Sequence, residues 1–323
     1  MPTLTVRQRR NGLVETVHPC SAVVVSGGKP RWSVGPDLST FWRSSSKPLQ
    51  LLVSLEQLPD DLVDALADED LALGAASHSG QAEHVSRVSS LLAQFGLTPE
   101  DLHCGGHWPT HDGSKKAMLA GGHGYSALHN NCSGKHAFMR AAAQARGWDP
   151  DYLPLSHSLQ ARNRAVIEEW GEVRTGIGVD GCGIPTFHAP LSSMARTFAR
   201  LAAEMRDPGS RAGRIGRAMA AHPWFVSGDG RLDLAVTRAS TEPIAGKIGA
   251  EGLFCIAVPG RDMGIAVKCH TGQDAALAVA VRAVCDEVAP GLLAPESWPW
   301  AVVKNVVGRE VGDREAFFEA DLG

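Results

Sequence analysis

Hydrophobic residues at alternate positions open this chain. TLTVRQ, LVETVH and SAVVVSGG, all within residues 3 to 28, place an apolar side chain at about every second position. A period of two puts those side chains on one face of a pleated strand, which a helix cannot do. Asn11-Gly12 and Pro19 break the alternation. The spacing therefore predicts two or three strands with an early hairpin at Asn11-Gly12. Segments 231 to 238, 252 to 258 and 263 to 269 also read as strands, with Pro259-Gly260-Arg261-Asp262 as the turn between the last two.

Helical periods lie between these ends. Residues 49 to 66 carry leucines at helical spacing, and 82 to 95 put Val85, Val88, Leu91, Leu92 and Phe95 on one face. Further helices are predicted from Ser133 to Gly147, over 157 to 170, and over 190 to 206 with Pro190 in the first turn. QDAALAVAVRAVCDEV is a last amphipathic helix. LALGAASHSGQ is a short apolar piece ending in a loop, and residues 103 to 132 form a long irregular segment rich in Gly, His and Asn. Strands at both ends with helices between them predict an α+β fold whose N- and C-terminal strands share one sheet. No repeat or linker divides the chain, so one domain over residues 1–323 is expected, with a helical subregion at about 49–230.

A net charge of −4 supplies no basic footprint for nucleic acid. No apolar run is long enough to span a bilayer, and the early arginines are followed by no secretory apolar stretch. A cytoplasmic protein is expected. Seven scattered cysteines, an odd number, read as reduced thiols rather than a disulfide framework.

FWRSSSKPLQ, residues 41 to 50, runs straight into the apolar LQLLVSL. Pro48 has no N–H and fits only a first helical turn, so the helix starts near Ser45 with Ser44 as its N-cap. Lys47 then shares a face with Ser44. Burial and the helix dipole both disfavour its charge there, and a neutral lysine beside a serine is a general base beside a nucleophile.

Other stretches carry chemistry. In HNNCSGKHAFM, Cys132 precedes a helix N-terminus that stabilises a thiolate. GVDGCGIPTF sets Cys182 between glycines, two residues after Asp180. The two thiols could share a zinc ion, with His129, Lys135, His136, Asp180 or water completing four ligands. SHSG offers Ser77 and His78 in a glycine-flanked loop, KIGAEG presents Lys247 on an edge strand, and CGGHWP supplies His107.

In order along the chain, RSSSKPLQ, SHSGQ, CGGHWP, HNNCSGKHAFM, GVDGCGIPTF and KIGAEG resemble the rhizobial, thermolabile type of L-asparaginase, the asparaginase II family. The resemblance extends from RNGLVETVH to NVVGREVG. It implies a fold similar to serine β-lactamases and Ser-x-x-Lys glutaminases, usually a homodimer. It places the family's Ser-x-x-Lys pair on Ser44 and Lys47, a second tandem on Ser77 and Lys247, and a zinc site on Cys132, Lys135 and Cys182. Arg43, His78, His107 and Asp180 are the candidate substrate-binding residues. The middle element departs from the Ser-x-Asn usual in penicillin-recognising folds, since Ser79 holds its third position.

The implied chemistry is hydrolysis of L-asparagine to L-aspartate and ammonia through an acyl-enzyme, with Ser44 or Ser77 as nucleophile. A β-lactamase- or peptidase-like acyl transferase and a non-catalytic, zinc-stabilised binding protein are the alternatives.

Overall fold

The computed structural model describes residues 2–295 and 298–320. Among the described residues eleven strands are present: β1 (Thr3–Arg10), β2 (Leu13–Ser26), β3 (Lys29–Val34), β4 (Ser39–Phe41), β5 (Gly176–Val179), β6 (Pro185–Pro190), β7 (Ala245–Gly249), β8 (Leu253–Val258), β9 (Met263–Cys269), β10 (Val302–Lys304) and β11 (Glu310–Glu319). Asn11 and Gly12 have φ of 48° and 80°. Two successive left-handed residues fold β1 back on β2, as the Asn-Gly step predicts.

Pro19 does not end a strand. It lies inside β2 opposite Thr5, and its carbonyl accepts the His270 N–H at 2.9 Å. The nitrogen and oxygen of one strand residue point the same way, so its missing N–H faces the side where β9 stops and β1 loses nothing.

The large sheet runs β10-β11-β1-β2-β9-β8-β7, with β3 also on β2, while β4-β6-β5 form a smaller sheet. β1 pairs with β11 from Thr3 and Glu319 to Arg10 and Gly312, so the chain's two ends share a sheet as expected. Alternation along β2 separates two cores. Val23 and Val25 join the helices Lys47–Leu55, Ser133–Ala145 and Leu191–Met205, whereas Ala22 and Val24 join the helix Asp274–Val288.

Several elements differ from the expectation. Residues 231 to 238 are not a strand: Leu232–Ala239 is a helix, because Leu232, Val236 and Ala239 bury at spacings of four and three. The first helix stops at Leu55, and a short one, Asp60–Asp64, follows Pro59. Pro190 is an N-cap with extended backbone rather than a first-turn residue. The irregular segment contains a helix, Asp112–Ala120, capped by His111, whose ring accepts the Ser114 N–H at 3.1 Å. Among the described residues, no helix is long and apolar enough to cross a membrane.

Candidate active site

The serine run forms a 3-10 turn, Arg43–Ser46, and the α-helix begins at Lys47. Ser44 is therefore not its N-cap. Pro48 sits in the first turn as its chemistry requires, but the chain tightens ahead of it, and Ser46 takes the cap position. The hydroxyls of Ser45 and Ser46 donate back to the carbonyls of Trp42 and Arg43 at 2.6 and 2.8 Å. Ser44 alone of the three serines is half-buried; the other two are buried. Just before it, Arg43 holds a left-handed φ of 46°. Two bonds to β6 enforce that conformation: Trp42 N–H to the Phe187 carbonyl at 2.8 Å, and Arg43 N–H to Thr186 Oγ1 at 3.1 Å. The Arg43 side chain pairs with Asp180, Nε to Oδ1 at 2.7 Å.

Lys47 is fully buried. Its Nζ lies 2.9 Å from Ser77 Oγ and donates to the carbonyls of Ala76 and, at 3.3 Å, Asn131. No hydrogen bond joins it to Ser44 among the described residues. Burial pushes its ammonium below the ordinary lysine value, with Cys132 opposing the shift. A neutral amine has two N–H bonds and one lone pair. Were Lys47 deprotonated, two carbonyls on its N–H bonds would leave the lone pair facing the Ser77 hydroxyl; as an ammonium it donates to all three oxygens.

Two features bring Ser77 there. Its N–H bonds the Val226 carbonyl at 2.9 Å. Gly134 lets the helix Ser133–Ala145 press against the preceding segment, since a Cβ there would stand 2.4 Å from the Leu73 carbonyl oxygen. His78 is buried and saturated: Nδ1 accepts the Gly80 N–H at 3.2 Å, and Nε2 meets Ser133 Oγ at 2.9 Å. It ties the Ser77 loop to that helix. His107 acts one step further out, its Nε2 accepting the Asn131 N–H at 3.0 Å and so fixing the carbonyl that holds Lys47.

Lys247 lies on β7, the edge of the large sheet, as the Lys-x-Gly reading expects. Gly249 allows that edge to meet the serine turn, because a Cβ would come within 2.8 Å of the Trp42 carbonyl oxygen. Lys247 Nζ is buried, 3.3 Å from Asp233 Oδ1 and 3.0 Å from its own strand's Ile248 carbonyl. Burial pushes it down to about 8, although Asp233 pulls the other way. Asp233 also accepts the Ile248 N–H at 2.8 Å, while its Oδ2 is buried without a partner among the described residues.

Sequence reasoning missed Asn131, Thr186 and Asp233. Asn131 was legible only as part of HNNCSG, and Asp233 was hidden by reading its helix as a strand.

The thiols of Cys132 and Cys182 are both buried, and Lys135 Nζ donates to Cys182 Sγ at 3.1 Å. The hydrogen bond from Cys182 holds Cys132 well below the ordinary thiol value, while Cys182 is raised as the donor of that bond. Burial disfavours the Lys135 ammonium, but the charge on Cys132 and Cys182 raises it overall. Two soft sulfurs and an amine within reach fit a zinc ion once Lys135 and both thiols are deprotonated. Among the described residues, no group of three or more His, Cys, Asp or Glu is arranged to hold a metal, so this mixed set is the candidate.

A buried amine on a serine hydroxyl, with a second lysine on an adjoining strand, is a set of groups that can serve nucleophilic attack on an amide. The particular family follows from the sequence itself. A family model described as L-asparaginase II matches residues 6–316, and the chain belongs to that family. No curated protein matches it. Similar solved structures include a β-lactamase from Mycobacterium bovis, 13% identical, covering 83% of this chain and 93% of that one with a TM-score of 0.44. A D-alanine carboxypeptidase from Burkholderia cenocepacia is 13% identical, covering 82% and 91% with a TM-score of 0.37.

Proposed function

We propose that the chain hydrolyses the side-chain amide of L-asparagine to L-aspartate and ammonia through a covalent acyl-enzyme. The observation that carries this reading is Lys47, buried between two carbonyls with its Nζ 2.9 Å from the Ser77 hydroxyl. Ser44, the accessible serine, attacks the amide carbon. Its proton passes to neutral Lys47 and on through Ser77 to the departing ammonia. Lys247 sets the field around that relay, and the Ser44 N–H contributes to the oxyanion hole. Asparagine carries an α-carboxylate and an α-ammonium, and the Arg43–Asp180 pair offers both opposite charges beside Ser44. His78 and His107 support the site through Ser133 and Asn131. Cys132, Lys135 and Cys182 would hold zinc, which when bound supplies a fixed positive charge that orients substrate. The protein works as a homodimer in the cytoplasm, each chain one catalytic domain.

The Lys47–Ser77 contact favours a second reading, in which Ser77 is itself the nucleophile. Trapping the acyl-enzyme with an electrophilic asparagine analogue and mapping the labelled serine separates the two. An ammonia assay with L-asparagine, L-glutamine and a chromogenic β-lactam tests the substrate. Turnover of the β-lactam alone would overturn the proposal.

A further inference from the structure

Cys20 on β2 and Cys269 at the end of β9 are directly opposite each other. The adjoining pair, Pro19 and His270, carries the ladder hydrogen bond at 2.9 Å. Bonded and non-bonded pairs alternate in an antiparallel ladder, so the two cysteines form a non-bonded pair with Cα atoms about 4.5 Å apart. That separation lies within the span of a disulfide. Both side chains leave the same face of the sheet, into the core beneath the helix Asp274–Val288, and both thiols are free.

Their surroundings distinguish the two sulfurs. Thr271 Oγ1 stands 3.3 Å from Cys269 Sγ and 2.8 Å from His18 Nδ1, and His18 Nε2 stands 2.9 Å from Thr16 Oγ1. Thr271 Oγ1 thus stands between the His18 ring and the Cys269 sulfur. The Cys20 thiol above all, against burial, and then the Thr271 hydroxyl and the backbone of Thr271 and Gln273 lower Cys269 to about 5. Cys20 is raised instead, by its hydrogen bond to Cys269 and by burial, and its sulfur also lies 3.5 Å from the His18 carbonyl. Both cysteines are buried, and their neighbours Pro19, His270 and Thr271 are exposed.

We propose that Cys20 and Cys269 are a peroxide-reactive thiol pair that closes a reversible disulfide between β2 and β9. The Cys269 thiolate attacks one oxygen of hydrogen peroxide. An S–O bond forms, the O–O bond breaks, and the released hydroxide takes up a proton to leave as water. The Cys20 sulfur then attacks the sulfenic sulfur. The S–S bond forms as the S–O bond breaks, and the second water carries away the Cys20 proton. Two electrons from the thiols reduce one peroxide to two waters. The pair lies outside the candidate active site, so this site stands whether or not the asparaginase reading does.

Peptide mapping of the full chain tests it. After brief treatment with hydrogen peroxide, alkylation and digestion without reductant, a linked Cys20–Cys269 peptide is expected. Reductant should return both residues to the alkylatable pool. In Cys20→Ser, Cys269 should stop as a sulfenic acid and take up about tenfold more of a cyclic 1,3-dione than in wild type. Full alkylation of both residues after peroxide, or linkage confined to Cys132 and Cys182, would overturn the proposal. Equal dione labelling in variant and wild type would also overturn it. Should Cys20→Ser fail to fold, the wild-type map decides alone.

Discussion

Lys47 Nζ stands 2.9 Å from the hydroxyl of Ser77, thirty residues away, and not on Ser44 one turn before it. If Lys47 is the base of the reaction, Lys47→Met should lower kcat for ammonia release by about 10²–10⁴-fold. Lys47→Arg should be no better, because a guanidinium stays protonated and offers no lone pair. An arginine variant retaining near wild-type turnover would remove Lys47 from that role.

Lys247 titrates near 8 in the fold, below the 10.5 of an ordinary lysine. Below about pH 8 both folded and unfolded chains hold this proton, so it contributes no slope there. Between the two values the unfolded chain binds more protons, and stability should rise with pH. Lys247→Met should abolish that rise. It should also cost about 3–5 kcal/mol by leaving Asp233 charged and buried alone, a loss that a second change, Asp233→Asn, partly restores. Urea unfolding from pH 8 to 10 measures both effects; identical slopes in wild type and variant would refute the assignment.

What was legible in the sequence had local causes. Asn11-Gly12 announced its hairpin because two left-handed residues in a row have few occupants. Pro48 announced a first helical turn because it lacks an N–H. The 3-10 turn at Ser44 was not legible, since it is imposed by bonds from Trp42 and Arg43 to β6, more than 140 residues later. Asp233 was misplaced because a short window of LDLAV alternates like a strand, and its helical burial depends on a core assembled from distant strands. The site motifs were individually weak, and their convergence depends on two close approaches, at Gly134 and Gly249, that no local pattern encodes.

Arg43 occupies a left-handed conformation that costs a non-glycine residue about 1–2 kcal/mol. Arg43→Gly relieves that cost but removes the partner of the Asp180 carboxylate, which is only 11% exposed, at a cost of about 1–3 kcal/mol. Thermal unfolding should therefore show unchanged or modestly lowered stability, while kcat/KM for asparagine falls. Unchanged kcat/KM would mean that the side chain is not used to bind substrate.

Metal analysis addresses the mixed thiol and amine site. Purified wild type should carry zinc, and Cys132→Ser and Cys182→Ser should each lose it, since either change removes one of two sulfur ligands. Lys135→Arg should lose it too, because a guanidinium cannot offer a lone pair. Zinc retained by both cysteine variants would place the metal elsewhere.

Gly134→Ala tests how Ser77 is brought to Lys47. The added Cβ would meet the backbone oxygen of Leu73 at 2.4 Å, so the helix that carries Lys135 and is capped by Cys132 must move away from the segment leading to Ser77. Overpacking of this kind costs about 1–3 kcal/mol. The displacement should also lengthen the bonds from Lys47 to Asn131 and Ser77, which lie on the two sides of that contact. Activity should consequently fall further than stability alone explains when assayed well below the melting temperature. A variant destabilised by that amount yet fully active would show that the catalytic geometry does not depend on this close approach.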